Sequence, residues 1–123
     1  MSEFCVVRIM APCERWFEPL PDANKIVTDV VQRAVQESGR VHSDSEVSIV
    51  LSDDRELHML NKEYRGIDKA TNVLSFPGEA VDKDDDGSSY TVRDRPLVLG
   101  DIVLAFETIE REAAPGVTVQ RRC

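Results

Sequence analysis

The chain is 123 residues long, with 41% hydrophobic and 31% charged residues and a net charge of −8. That length suits one domain with a modest core, and the composition excludes a disordered chain. The negative balance excludes broad electrostatic attachment to nucleic acid or an anionic membrane, so any such role needs a locally basic cleft.

Residues 4–10 alternate as a first strand, with Phe4, Val6 and Arg8 on one face and Cys5, Val7 and Ile9 on the other. Residues 11–21 form a loop punctuated by Pro12, Pro19 and Pro21, in which Trp16 and Phe17 cover the edge of the core. Asp22 is placed to cap a helix that runs to Ser38. Its apolar stripe is doubled, Ile26, Val30 and Ala34 beside Val27, Val31 and Val35, and Gly39 ends it. Residues 46–52 alternate as a second strand through Val47, Ile49 and Leu51. Asp53 and Glu56 then make a capping box with a carboxylate in place of the hydroxyl, so a helix follows at once. Leu57, Leu60 and Tyr64, spaced i, i+3, i+7, face the core, and Gly66 stops the helix. Residues 73–76 form a third strand. Residues 78–96 are one long polar loop. Residues 97–106 hold a fourth strand, unbroken in apolar residues from Ile102 to Phe106, as suits a strand covered on both faces. A last helix begins at Glu107 and is broken by Pro115-Gly116. Strands alternating with helices predict an α+β fold, a mixed sheet of about four strands with helices packed on it.

The cysteines, Cys5, Cys13 and Cys123, are odd in number and lack C-x-x-C spacing, which points to a reducing, cytoplasmic compartment. Arg8 interrupts the only early apolar run, so no signal peptide is expected, and no stretch reaches the length of a membrane span.

The candidate chemistry centres on residues 60–77, LNKEYRGIDKATNVLSFP. Such a density of Arg, Asp, Lys, Thr and Asn ahead of a strand suggests a loop shaped for a task. Arg65, at a helix end before Gly66, can hold a phosphate bidentately and oppose charge developing in phosphodiester cleavage. It can equally bind the last carbonyls of its own helix or pair with Asp68. Lys62 and Lys69 flank it and can steer a nucleic-acid backbone, or serve as solvated lysines. Asp68, Thr71 and Asn72 shape the turn and start the strand. Asp101, inside an apolar strand, reads as a buried carboxylate accepting backbone N–H bonds. Asp82, Asp84, Asp86 and Gly87 imitate the start of a calcium loop, but Arg93 stands where the bidentate Glu belongs, so a solvated acidic loop is expected. Neither His42 nor His58 has a second His at i+4, so neither makes a zinc motif.

The 60–77 stretch resembles the signature L-N-x-x-Y-R-x-x-D-x-x-T-[DN]-V-L-S-F-P of the YbeY family of bacterial endoribonucleases, and 99–103, LGDIV, resembles its next strand. The resemblance spans about residues 4–114 and implies a YbeY-like, zinc-hydrolase-like fold. It also implies metal-dependent, single-strand-specific cleavage in small-subunit rRNA maturation and ribosome quality control. Its expected partners are single-stranded rRNA and small-subunit components, and it gives Arg65 a role in RNA processing. In that family three histidines of a late motif, H-G-x-x-H-x-x-G-x-D-H, hold zinc. Residues 1–123 contain no such motif, so the expectation is an incomplete domain over 1–114, an unrelated tail over 115–123, no metal-bearing C-terminal helix, and no zinc bound. A frameshift or truncated gene would account for the change of character. The alternatives are a non-enzymatic ribosome-docking module or a nonfunctional remnant and, more remotely, metal-dependent peptidase chemistry.

Overall fold

The structure is a computed structural model that describes residues 5–41, 44–78 and 96–113. Phe4, His42, the acidic stretch 82–87, Arg93, Pro115-Gly116 and Cys123 lie outside the described residues. The elements are strands β1 (Cys5–Met10), β2 (Ser45–Ser52), β3 (Val73–Pro77) and β4 (Leu97–Ala105) with helices α1 (Ala23–Ser38), α2 (Asp54–Arg65) and α3 (Phe106–Ala113). They build one mixed sheet in the order β1-β2-β4-β3, in which β1, β2 and β4 are parallel and β3 runs antiparallel to β4. Among the described residues no helix is long and apolar enough to cross a membrane.

Strand alternation divides the apolar residues between the two faces of the sheet. Val47, Ile49 and Leu51 of β2 join Val7 and Ile9 of β1, Ile102 and Leu104 of β4, and Val27, Val31 and Val35 of α1. On the other face Leu74 and Phe76 of β3, Val103 and Ala105 of β4 and Val50 of β2 meet Leu57 and Leu60 of α2. Only the Val27, Val31, Val35 half of the doubled α1 stripe meets the sheet, while Ile26 and Val30 are exposed. A helix lying on a sheet buries a stripe roughly 100° wide, narrower than the doubled pattern. Trp16 is more central than an edge cover. It lies in a short 3₁₀ turn, Glu14–Phe17, is buried, donates from Nε1 to the Ser52 carbonyl at 2.8 Å, and meets Phe106 edge-on at 5.4 Å. Phe106 therefore belongs to α3, which starts directly from β4.

The pairing of β2 with β4 shifts register between Glu46 and Val47, which leaves Leu99 as an extra residue between Val98 and Gly100. This bulge needs glycine. Gly100 has φ +140, and a Cβ there would collide with the Phe76 carbonyl oxygen of β3. A residue forced into that conformation and contact loses roughly 1–3 kcal/mol from overpacking, with backbone strain in addition. Gly100→Ala is accordingly expected to lower stability by at least about 2 kcal/mol in urea unfolding. An unchanged midpoint would mean that β3 and β4 do not approach as described.

Candidate functional site

The site is built on α2, whose two ends are fixed by different devices. At its start Asp53 adopts an extended conformation and accepts from the Glu56 amide at 3.0 Å, the expected cap. Asp22 occupies the equivalent position before α1 but makes no side-chain capping bond, a departure from the expected cap there. A second arrangement was not legible in the sequence. Glu107 of α3 accepts from the Asp54 amide at 2.9 Å, while Asp54 accepts from the Thr108 amide and hydroxyl at 3.0 and 2.8 Å. The two helices thus cap each other's N-termini. Arg15 donates to Glu107 at 2.8 Å and lies 5.0 Å over the Phe106 ring. Burial pushes the Glu107 carboxyl up. Hydrogen bonds from Arg15, the Asp54 amide and its own amide, with the charge of Arg15, outweigh that and hold it below its ordinary value.

At the other end Gly66 takes the left-handed conformation, φ 69, that lets the chain leave the helix. The Gly66 amide donates to the Lys62 carbonyl at 3.1 Å and the Ile67 amide to the Asn61 carbonyl at 3.2 Å. Asn61, only 2% exposed, sends its amide NH2 to the Lys69 carbonyl at 2.9 Å, so the loop after the helix is pinned back onto it. Its Oδ1 has no partner among the described residues. His58 and Asp68 make a second tie, Nε2 to Oδ1 at 2.6 Å. That bond, with the charge of Lys62 acting the same way, holds the Asp68 carboxyl below its ordinary range.

Arg65 stands exposed as the last residue of α2. The carbonyls of Asn61 and Lys62 accept from the backbone, and Oδ1 of Asp68 is bonded to His58. Arg65 makes no side-chain hydrogen bond or ion pair with another described residue. Lys62, one turn earlier, and Lys69, in the loop, are exposed too. Asn72 opens the β3 ladder, its carbonyl accepting from the Ala105 amide at 2.9 Å, and its side chain donates to Glu112 at 3.1 Å. Tyr64, expected in the core, is exposed, with its ring edge-on to Phe76 at 5.5 Å. Asp101, expected as a buried carboxylate, is exposed as well. It shares a sheet face with Val103 and Ala105, but it lies opposite Ser48 and Phe76, toward the bulged end.

No group of three or more His, Cys, Asp or Glu converges as metal ligands would among the described residues. His58 is committed to Asp68, and Cys5 and Cys13 are buried free thiols. These side chains do not fit the zinc that the resemblance implies.

A mixed sheet with helices packed on it, an exposed guanidinium at the end of α2 and a pinned polar loop beyond it define a small α+β domain. A family model described as Endoribonuclease YbeY matches residues 15–122, a span that runs past Pro115 into the stretch set apart by its residue pattern. The endoribonuclease YbeY of Methylocella silvestris is 39% identical over 109 residues, 88% of this chain and 55% of the relative. That of Paramagnetospirillum magneticum is 38% identical over 107 residues, 87% of this chain and 62% of the relative. That of Magnetococcus marinus is 48% identical over 69 residues, 56% of this chain and 46% of the relative. The chain belongs to the YbeY endoribonuclease family, and it spans about half the length of the curated relatives it matches.

The mutual caps carry a pH signature. The folded value of Glu107 lies below its ordinary 4.5, so its contribution is complete above 4.5 and is lost as pH falls through the folded value. Glu107→Gln is expected to cost about 0.5–2 kcal/mol near neutrality, the range for losing a cap. Urea midpoints of variant and parent should converge as the pH is lowered below 4.5. A constant offset at every pH would remove Glu107 from the network.

Proposed function

We propose that this chain is the RNA-holding part of a metal-dependent, single-strand-specific endoribonuclease. By this reading it acts in small-subunit rRNA maturation and ribosome quality control, in the cytoplasm. The observation that carries the reading is Arg65. In a member of this family it ends α2 exposed, making no side-chain hydrogen bond to a described residue. In the proposed reaction its forked donors hold two oxygens of the scissile phosphate and oppose the charge that grows there in the transition state. Lys62 and Lys69 steer the flanking backbone. Asn61 and His58 hold the loop so that Lys69 and Asp68 keep their places.

Zinc, when bound in such an enzyme, would polarise the phosphoryl oxygen or activate water. By this reading its ligands are not among the described residues, and the 123-residue chain alone is inactive. A second reading, a ribosome-docking module without chemistry of its own, accords with the lack of converging ligands among the described residues.

The test joins residues 1–113 to the remaining C-terminal portion of the Methylocella silvestris relative and follows cleavage of single-stranded RNA. Arg65→Ala is expected to lower kcat/KM by about 10²–10³-fold, the usual loss for one transition-state donor, with an unchanged thermal transition. Cleavage at the parental rate would remove Arg65 from the site. No cleavage by the unsubstituted hybrid would favour the docking module. Separately, the 123-residue chain is expected to retain no stoichiometric zinc after gel filtration with a mild chelator. One zinc per chain, released by His58→Ala or Cys5→Ser, would overturn the metal assignment.

A further inference from the structure

The described cations fall into two groups. Outside α2 and its loop, Arg8 pairs with Glu46, Arg15 with Glu107, Lys25 with Asp29 and Arg33 with Glu37. Arg111 donates to the Thr108 hydroxyl, and Arg40 also has a partner. Arg55, Lys62, Arg65 and Lys69 make no side-chain hydrogen bond to a described residue, and all are exposed. Among the described residues of this chain of net charge −8, the cations without a side-chain hydrogen bond are thus gathered on one helix and the loop it leads into.

Their spacing aligns them. Arg55, His58, Lys62 and Arg65 are separated by three, four and three residues, which places them within roughly 80° of one another around α2 and along about 15 Å of its length. Glu56 and Glu63 project roughly 120–140° from the middle of that stripe, beyond the core-facing seam or past Met59. Asp53 and Asp54 lie near its start, but both carboxylates are engaged as caps. Asp68, at its far end, is bonded to His58 and faced by Lys62.

Helix stability does not account for this stripe. Lys62 and Arg65 lie in the last turn, where a cation suits the macrodipole, but Arg55 lies in the first turn, where a cation opposes it. Nor does Arg55 gain from a described carboxylate. A row of exposed cations that make no side-chain hydrogen bond to a described residue is what a polyphosphate backbone recruits, because each contact releases a counterion.

We infer that a single RNA strand lies lengthwise along α2. Arg55 is the first phosphate contact, Lys62 follows, and Lys69 continues the track past the phosphate held by Arg65. This rests on the endoribonuclease reading and adds to it both a residue, Arg55, and a direction of approach from the N-terminal end of α2.

The experiment measures binding of the 123-residue chain to a short fluorescein-labelled oligouridine by anisotropy across a salt series. Arg55→Gln and Lys62→Gln are each expected to weaken binding and to reduce the slope of log K against log salt by about 0.7, the value for one single-strand phosphate contact. The double variant should lose about twice that. Lys25→Gln, on α1, should leave the slope unchanged, and an unchanged thermal transition excludes unfolding as the cause. Parental affinity and slope in Arg55→Gln, with binding weakened in Arg65→Gln, would overturn the lengthwise track and leave the role of Arg65 standing. Absence of RNA binding by the parent chain would overturn both. Polyglutamate competing as well as the RNA, charge for charge, would reassign the stripe to an acidic protein partner.

Discussion

The mutual capping of α2 and α3 is the constraint on which the rest of the structure depends. Each helix begins with N–H groups that have no partner within the helix. Here β2 and β4 are neighbours running in the same direction, and their last residues, Ser52 and Ala105, lie opposite each other. Both strands pass almost directly into helices, with only Asp53 between β2 and α2 and nothing between β4 and α3. Two helix starts are therefore delivered side by side, with their positive ends together. Asp54 and Glu107 answer both at once, each placing a carboxylate on the other helix's first turn. Arg15 neutralises what remains and ties in the loop that carries Trp16. The direction of α2, and so the position of Arg65 at its far end, follows from this junction.

The far end follows a different logic. Position 61 falls on the core side of α2 beside Leu57, where spacing alone would place an apolar residue. Asn61 there spends a buried amide on the Lys69 carbonyl and leaves Oδ1 without a described partner. The Lys69 bond draws the loop after Gly66 back over the helix instead of letting it run straight to β3. That places Asp68 within reach of His58, ten residues earlier. Arg65, three residues before Asp68, is exposed and makes no side-chain hydrogen bond to a described residue.

Much of this frame was legible in the sequence because it follows local rules. The end of α1 at Gly39, the alternation of β2, the Asp53 cap and the Gly66 stop each need only a few neighbouring residues. The exposed helix-end position of Arg65 could be read in the same way. What escaped depends on contacts distant in sequence. Asp101 looked buried because its neighbours are apolar, yet it is exposed, opposite Ser48 and Phe76 toward the bulged end of β4. Ile26, Val30 and Tyr64 looked like core because periodicity gives a helix its apolar face but not the width of what it packs against. The His58–Asp68 bond and the exchange between Asp54 and Glu107 have no local signature. The Asn directly after Leu60, at a core-facing position, was the one sign that the loop would be pinned.

The distribution of charge separates what the fold requires from what it merely permits. Exposed ion pairs contribute about 0–1 kcal/mol each, so pairing the cations of β1 and α1 adds little stability and leaving those of α2 unpaired costs little. Folding is nearly indifferent to the arrangement, and stability cannot explain why the unpaired cations share one stripe. An acidic chain has carboxylates to spare. Glu56 and Glu63 sit on the same helix, yet they project away from Arg55, Lys62 and Arg65, while the carboxylates nearest the stripe are occupied by Thr108, the Glu56 amide and His58. The stripe sits on an element held at both ends by buried or mutually capped contacts, within the span matched by the endoribonuclease family model.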